Sequence, residues 1–227
     1  MRPAWSRRAF SIGLGLAPAL GCRRRDEVPE PRPLSVELGV APIVDAHPWV
    51  IAFVTEISIA RPPGADARLE GRTGSGGLRH PEPIIEAETR EVLEQRLASY
   101  AAERPRDPDI APVWQSDPFG PEARVRWRLY FVDRRAGFIA DAEARASLAR
   151  SDQGPRVRVT LGPEQAAHLA DVSAATMDRR LAITAGDEVL ALPVVAEPIE
   201  GGAFELMPSP HVDPERGAVS LLDRLTG

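Results

Sequence analysis

Four histidines are the first residues to consider for acid–base chemistry or metal binding: His47, His80, His168 and His211. His47 follows Asp45 by two positions, a spacing that would place both side chains on one face of a strand. A metal centre needs further ligands around the ion, and no third ligand accompanies this pair. His168 is expected on the polar side of a helix, and the two others stand beside prolines in loops. The sequence therefore predicts no metal site and no cofactor.

Carboxylates form the second group that could do chemistry. The glutamates concerned are Glu82, Glu86, Glu88, Glu91 and Glu94. We interpret them as a solvated helix face, since catalytic acid pairs need two carboxyl groups in distinct environments within one cleft. No His-Glu-x-x-His, Gly-x-Ser-x-Gly or cysteine–histidine arrangement occurs, and the glycine-rich stretch 73–77 lacks the Gly-Lys-Ser/Thr ending of a phosphate cradle. The chain is predicted not to be an enzyme; an enzyme whose site no motif reveals is the less favoured alternative.

The one cysteine, Cys22, follows a segment whose order is basic, then apolar, then small residues, as in an export signal. Its apolar stretch, Ala9–Leu20, is shorter than the roughly 20 residues that a transmembrane helix needs. Residues 19–22 resemble a lipobox, although that pattern prefers leucine at the first of these positions and a small residue at the second. We predict that residues 1–21 are a signal peptide and that Cys22 is lipidated. An unmodified cysteine is the alternative.

The export route and the tether follow from the same segment. Arg7, Arg8 and Phe10 resemble the twin-arginine export motif, with an ordinary Sec signal as the alternative. Residues 22–34 are predicted to be a lipidated tether, because arginines 23–25 would meet anionic headgroups and the prolines that follow favour an extended chain. The predicted location is the extracytoplasmic side of a bacterial cell envelope, lipid-anchored to a membrane.

The composition sets the class of the remaining chain. The 227 residues carry a net charge of −5, with 43% hydrophobic and 27% charged residues, which is a globular profile. All 28 basic residues are arginine, which we attribute to genome composition. The acidic balance argues against nucleic acid as a partner. The length suits one domain, which we place at residues 35–227.

The periodicity of apolar residues predicts the elements of the first half. These are strands at Val36–Val40 and Val50–Ile59, a loop over 61–83, a helix at Ile84–Glu103, a short strand at Ile110–Trp114, a turn at 117–121 and a strand at Val125–Val132.

The second half is predicted in the same way. Its elements are a weak helix or irregular segment at Ile139–Ala149, a strand at Arg156–Leu161, a helix at Pro163–Arg180 with a buried stripe of small residues, a hairpin of Leu181–Ala185 and Val189–Leu192, a strand at Ala203–Met207 and a helix from Asp213 whose face holds Val219, Leu222 and Leu225. The predicted fold class is α+β, with a mixed or antiparallel sheet and about three packed helices.

From residue 156 to 207, this order of elements resembles the periplasmic P1 head subdomain of the SecD/SecDF protein-export factors. The matching segments are Val157–Gln165, Arg180–Ile183, Gly186–Val195 and Glu197–Gly202. The residues that carry the motif are Pro163, Arg180, Gly186, Pro193, Glu197, Pro198, Gly201 and Gly202. Residues 137–154 also fit the segment that leads into this subdomain, so we place a head-like core at about 137–227.

The resemblance implies a SecDF P1 head-like module that is not an enzyme, since no catalytic residue belongs to these motifs. SecD-type proteins carry several transmembrane helices, whereas this sequence predicts none, so a lipid anchor would hold a detached head. The implied partners are the membrane, through that anchor, and unfolded polypeptide or an export or envelope component. A structural lipoprotein of envelope assembly is the alternative.

Overall fold

The computed structural model describes residues 30–73, 77, 79–119, 124–140, 142–209 and 212–227. The predicted signal peptide, with Arg7, Arg8 and Phe10, and the predicted lipidation site Cys22 lie outside the described residues. Within these ranges, no helix is long and apolar enough to cross a membrane.

The described chain forms twelve strands and four helices. In chain order they are β1 Arg32–Pro33, β2 Leu38–Pro42, α1 Pro48–Ala60, β3 Ala65–Thr73, β4 Arg79–Ala87, α2 Arg90–Glu103, β5 Ile110–Phe119, β6 Arg124–Asp133, β7 Phe138–Ile139, β8 Arg145–Ser151, β9 Gly154–Thr160, α3 Pro163–Ala175, β10 Leu181–Ala185, β11 Glu188–Ala191, β12 Ala203–Leu206 and α4 Pro214–Thr226.

The strands form two sheets. An eight-stranded sheet has the order β3-β4-β6-β5-β11-β10-β2-β7, and a four-stranded sheet has the order β1-β8-β9-β12. All neighbours are antiparallel except β11 and β5, which are parallel. The predicted α+β class with a mixed sheet is confirmed, and the described residues form four helices where about three were predicted.

The extra helix is α1, so the prediction of a strand at Val50–Ile59 is wrong. His47 caps this helix by accepting a hydrogen bond from the Trp49 N–H at 3.2 Å, and Pro48 occupies the first turn, where no N–H is needed. The residues buried at helical spacing are Val50, Phe53, Val54 and Ile57. Packing of this face outweighs the weak preference of β-branched residues for strands.

The prediction of a loop over 61–83 is also wrong, because β3 and β4 form a long hairpin there. Strand β4 includes the first residues of the helix predicted at Ile84–Glu103, and α2 begins only at Arg90. The Glu88 N–H bonds to the Gly64 carbonyl, which fixes the hydrogen-bonded pairs of this hairpin at even-numbered residues. Pro81 and Pro83 therefore occupy positions whose missing N–H the hairpin does not use.

Three further boundaries differ from the prediction. The segment Ile139–Ala149 is not helical but contains the end of β7 and most of β8. Helix α3 ends at Ala175 rather than at Arg180, because Asp178 adopts a left-handed conformation with φ of 59° and its N–H bonds to the Val195 carbonyl. Strand β5 continues to Phe119, through the predicted turn at 117–121.

The predicted hairpin around Gly186 is present as β10 and β11. Strand β12, however, does not join this hairpin but pairs with β9 in the other sheet. On α4, Leu222 and Leu225 are buried as predicted, whereas Val219 is 45% exposed because Ala218 takes the place against the sheet.

Two large apolar clusters lie on one face of the eight-stranded sheet. Helices α1 and α2 cover the β3-β4-β6-β5 part, where Phe53, Leu93 and Leu129 are central residues of the buried cluster. The four-stranded sheet, α3 and α4 cover the β10-β2 part through a cluster that includes Val157 and Leu181.

The eight-stranded sheet curls, so that the end of β2 returns to β6: Ile43 forms an antiparallel bridge with Val132. Strand alternation places a third apolar cluster inside this curl. The cluster consists of Ile43, Ala111, Val113, Tyr130, Val132, Ala182 and Val189. One end of the curl carries a group of charged residues around Arg180.

Candidate functional site

Four of the predicted motif residues shape the middle of the head-like core. Pro163 occupies the first turn of α3, and Gly186, with φ of 60°, makes the turn between β10 and β11. The Pro193 carbonyl accepts a hydrogen bond from the Leu181 N–H at 2.9 Å. Arg180 directly precedes β10 and is 6% exposed. The first three thus determine the backbone path, and only Arg180 contributes a charged side chain.

The other four motif residues form the approach to β12. Glu197 and Pro198 are exposed, and the chain then turns through Gly201 and Gly202, whose φ angles are 82° and 65°. A Cβ on Gly202 would lie 2.4 Å from the Ala166 Cβ, so only glycine lets α3 approach this turn. Gly202 thus allows α3 to pack against this turn, and none of the four residues brings a reactive group to a common site.

Arg180 is the centre of a buried ion-pair cluster. Its Nη2 and Nε contact the two carboxylate oxygens of Asp45 at 2.6 and 3.2 Å, a bidentate pair. Its Nη1 donates to Glu82 Oε1 on β4 at 2.9 Å. Its guanidinium also lies over the Tyr130 ring, 5.3 Å from the centroid. The head-like core is thereby tied to three separate elements of the preceding half.

The hairpin β3–β4 adds a second arginine to this cluster. Arg72 places its Nε 3.9 Å from Glu82 Oε2 and donates through Nη2 to the Asp178 carbonyl, just after α3. Arg72 and Arg180 therefore both link the hairpin to the segment between α3 and β10.

Burial changes the ionisation of two groups in the cluster. It raises the pKa of the Asp45 carboxyl above its ordinary value, and the hydrogen bonds and charge of Arg180 offset part of this rise. Burial also raises the pKa of the Tyr130 phenol, whose hydroxyl donates to Gln115 Oε1 at 3.1 Å. Each group already has a partner inside the protein, so the arrangement suits a structural latch rather than proton transfer.

A second buried carboxylate, Glu86, lies further along β4 and is 4% exposed. Arg126 and Arg128 of β6 approach it at 3.0 and 3.3 Å, and Arg68 of β3 approaches at 3.6 Å. The prediction that Glu82 and Glu86 belong to a solvated helix face is therefore wrong. Glu91 lies exposed on α2, as that interpretation requires.

One signal could have revealed the Glu86 cluster. Arg126 and Arg128 alternate with apolar residues along a predicted strand, so they had to share a face that needs compensating carboxylates. The sequence pattern did not reveal the neighbouring strand β4 that carries Glu82 and Glu86, because glutamates four positions apart fit a helix face and a strand face equally well.

The histidines do not converge on a site. The His47 side chain caps α1 by accepting the Trp49 N–H bond, and the Asp45 carboxylate forms an ion pair with Arg180. His168 is exposed on α3 with its ring 6.1 Å from that of Phe138, His80 lies on β4, and His211 lies outside the described residues. Over the described part of the chain, no group of three or more histidine, cysteine or acidic residues is placed to hold a metal ion.

The cavities found among the described residues are small. A cleft of about 90 Å³ between α1 and α2 is lined by Phe53, Ile57 and Tyr100 with charged residues at its rim. A cavity of about 10 Å³ beside Asp45 and Tyr130 has room for about one water molecule. Pockets for small organic ligands typically measure roughly 300–1,000 Å³, so neither cavity fits such a ligand.

The outer edge of the four-stranded sheet offers a different kind of site. The Leu161 N–H bonds to the Gly202 carbonyl, which assigns the hydrogen-bonded pairs of β9 and β12 to even-numbered residues of β12. The backbone groups of Ala203 and Glu205 therefore point away from β9, and they have no hydrogen-bond partner among the described residues. This edge has the free donors and acceptors that an added strand would use.

Side chains beside this edge suit an extended polypeptide. Met207, the residue directly after β12, is 61% exposed. Arg156 and Arg158 of β9 and Glu205 of β12 lie on the outer face of the sheet, where both arginines contact the glutamate carboxylate. Such a surface combines apolar and charged contacts without a deep pocket that would select one side chain.

Comparison with known proteins finds a family match within the second half of the chain. Residues 132–212 match the family model of the SecDF P1 head subdomain, and this range contains all eight predicted motif residues. Among curated proteins, none matches the chain significantly.

Two solved structures of SecDF also match. One is a crystal structure of SecDF in a super-membrane-facing form, 15% identical, with a TM-score of 0.30; the match covers 88% of this chain and 30% of that chain. The other is SecDF described as a membrane component that enhances protein export, 14% identical, with a TM-score of 0.30; the match covers 83% of this chain and 93% of that one. This chain thus spans less than a third of the length of the first.

Proposed function

We propose that this chain, whose residues 132–212 form a SecDF P1 head-like module, is an extracytoplasmic lipoprotein that binds extended polypeptide during protein export and is not an enzyme. The observation that carries the proposal is the family match over residues 132–212, because the free edge of β12 lies inside the matched range.

Strand addition at β12 provides the physical mechanism. Backbone groups of Ala203 and Glu205 can bond to any extended chain, since every peptide offers the same N–H and C=O groups except at proline. Each such bond contributes a net of about 0.5–1.5 kcal/mol. Two outward residues therefore give weak binding without sequence preference, which suits a chain that must be released again.

The lipid anchor is a separate part of the proposal and rests on Cys22. A lipid chain supplies membrane affinity of about 0.8 kcal/mol per buried CH₂. Replacing Cys22→Ser should move the protein into the soluble fraction of the cell envelope. Retention of the whole Ser variant in the membrane fraction would show that Cys22 is not the anchor.

The binding claim is tested with the full chain carrying Cys22→Ser and a permanently denatured model protein as the ligand. Two variants at one position isolate the backbone contribution. Glu205→Ala removes the carboxylate but keeps the outward N–H, whereas Glu205→Pro removes both and leaves the hydrogen bonds to β9 intact. Circular dichroism melting checks that both variants are folded.

We expect measurable binding at micromolar concentrations for the parent and for Glu205→Ala, and a loss of about fivefold for Glu205→Pro, because the one outward N–H bond that disappears contributes about 1 kcal/mol. A chelator should change nothing. Absence of binding by the parent at high micromolar concentration would reject the binding function and favour a structural role in the envelope. Equal binding by the two variants would show that the free edge of β12 is not the binding site.

A further inference from the structure

Strand β3 has a second free edge, at the opposite end of the eight-stranded sheet from β7. Its hydrogen-bonded pairs with β4 fall at even-numbered residues, so the backbone groups of Ala67, Leu69 and Gly71 point outward. Within the described ranges they have no hydrogen-bond partner. With nine residues, this edge is more than twice as long as that of β12.

The charges along β3 alternate in sign on one face of the strand. They are Asp66, Arg68, Glu70 and Arg72, with 64%, 45%, 53% and 22% of their side chains exposed, respectively. Leu69 lies on the other face and is 45% exposed. Edge strands are often protected from unwanted pairing by charge, and charges of a single sign would serve that purpose best. An alternating pattern instead permits pairing in a chosen register.

In only one antiparallel register of β3 with a second copy of itself does each of its four charged residues oppose a residue of opposite charge. If Leu69 faces Leu69 of a second copy, Arg68 opposes Glu70 and Asp66 opposes Arg72, and each contact occurs twice by symmetry. The outward-pointing residues then pair with one another, Ala67 with Gly71 and Leu69 with Leu69. The charged pairs fall at the positions without backbone bonds, where opposing side chains lie closest.

Neighbouring registers are unfavourable. A shift of the pairing that keeps outward residues opposite one another places either Arg68 against Arg68 or Glu70 against Glu70 at the centre. A shift by a single residue would set outward backbone groups against groups already bonded to β4. Registers centred on Ala67 or Gly71 keep only the Asp66–Arg68 or the Glu70–Arg72 contacts. The register centred on Leu69 therefore makes the largest number of opposite-charge contacts.

Helix α1 supplies independent support. It packs over β3 and β4, and its residues Glu56 and Ala60 line the cleft shared with α2. Helical spacing therefore turns Ile51, Thr55 and Ser58 away from α2, toward the free edge of β3. These three residues carry no charge, and Ile59 beside them is 78% exposed. This side of α1 therefore places no charge that would repel a second copy of the helix.

We propose that two copies of this chain associate through antiparallel pairing of their β3 strands, with the two α1 helices side by side across the symmetry axis. The occupant is a second copy rather than an exported polypeptide, because the complementary charges belong to the same strand in reverse order. The proposal does not depend on polypeptide binding at β12, and Glu205→Pro should leave the dimer intact.

Sedimentation equilibrium of the full chain carrying Cys22→Ser tests the association. We expect a reversible dimer at micromolar concentrations. Glu70→Arg sets two positive charges against each other at both Arg68 contacts, and should raise the dissociation constant at least about tenfold. The ion pair of Glu70 with Arg68 is exposed, so its loss leaves the fold intact. Glu103→Arg, the same charge change at a 73% exposed side chain on α2, is the control and should not alter the dimer.

Cysteine crosslinking tests the register. In the same Cys22→Ser background, Leu69→Cys would bring two sulfurs together at the symmetry axis, since opposing residues lie about 5.5 Å apart between Cα atoms, within the range of a disulfide. Thr73→Cys, on the same edge, would lie far from its copy and should form no disulfide-linked dimer under mild oxidation. A monomer at high micromolar concentration, a dimer unaffected by Glu70→Arg, or equal crosslinking of the two cysteine variants would each overturn the proposal.

Discussion

Replacement of Arg180 by methionine tests whether the buried ion-pair cluster holds the head-like core against the preceding half. The variant keeps an apolar stem of similar length but leaves Asp45 and Glu82 as facing carboxylates without their shared cation. Removing one partner of a buried ion pair costs roughly 3–5 kcal/mol. Because the side chains of Asp45 and Glu82 are 17% and 26% exposed, water screens part of the loss, and we expect about 3 kcal/mol.

The pH dependence of this loss provides a sharper test. Burial already raises the pKa of Asp45, and removing Arg180 removes the two largest effects that lower it, its hydrogen bonds and its charge, so the pKa rises further in the variant. A carboxyl with a raised pKa in the folded state stabilises the fold most below its unfolded pKa, and this contribution is lost as the pH rises through the folded pKa. The difference in stability between parent and variant should therefore be smaller at mildly acidic pH than at pH above neutrality.

Urea unfolding at the two pH values, followed by circular dichroism and by fluorescence of the tryptophans at positions 49, 114 and 127, measures both quantities. A loss of about 3 kcal/mol corresponds to a fall in Tm of roughly 6–12 °C for a chain of this size. Arg224→Met is the matched control, because it breaks a partly exposed pair with Glu188 that should contribute no more than about 1 kcal/mol. Two results would refute the conclusion that the Arg180 cluster holds the head-like core against the preceding half. One is an equal loss of stability for the two substitutions, and the other is a loss of stability for Arg180→Met that does not become smaller at acidic pH.

Further substitutions test the packing of the core and the export route. Gly202→Ala should destabilise the fold by about 2–4 kcal/mol through its positive φ and its clash with α3, whereas Gly186→Ala, with a similar φ but open space around it, should cost about 1 kcal/mol; chemical denaturation compares the two. Ser173→Ala should cost about 1–3 kcal/mol in the same assay, because its fully buried hydroxyl accepts a backbone N–H bond from the loop before β12. Changing Arg7 and Arg8 together to lysine should block export if the twin-arginine route operates, and unchanged export, measured by cell fractionation, would leave a Sec signal as the explanation.

The sequence was most informative where local signals and tertiary packing agree. Between residues 154 and 227, alternating valines, a proline at a helix start, a glycine turn and an aspartate cap each specify an element within a few residues. Local and global preferences coincide there, so β9, α3, the β10–β11 hairpin and α4 follow from patterns alone. The same agreement makes the head-like module recognisable from its residues and their order.

In the first half of the chain, only the tertiary structure decided which residues form helices and which form strands. The β-branched run around Val50 is helical because it is buried against β3 and β4, and the segment of glycines and prolines after it forms strands because the two arms of the hairpin pair along nine residues. Such pairing depends on partners distant in sequence, which local propensity does not contain.

The candidate sites divide in the same way. The sequence alone determined the chemistry of each group: an acidic chain with scattered histidines, one cysteine and arginines that alternate along strands. The tertiary structure decided which groups meet. Arg180 lies 135 positions from Asp45 and 98 from Glu82 along the chain, and only the curl of the sheet brings the three together. The free edges of β3 and β12 are likewise set by strand order, because whether a strand has one neighbour or two is a property of the whole sheet and not of its own residues.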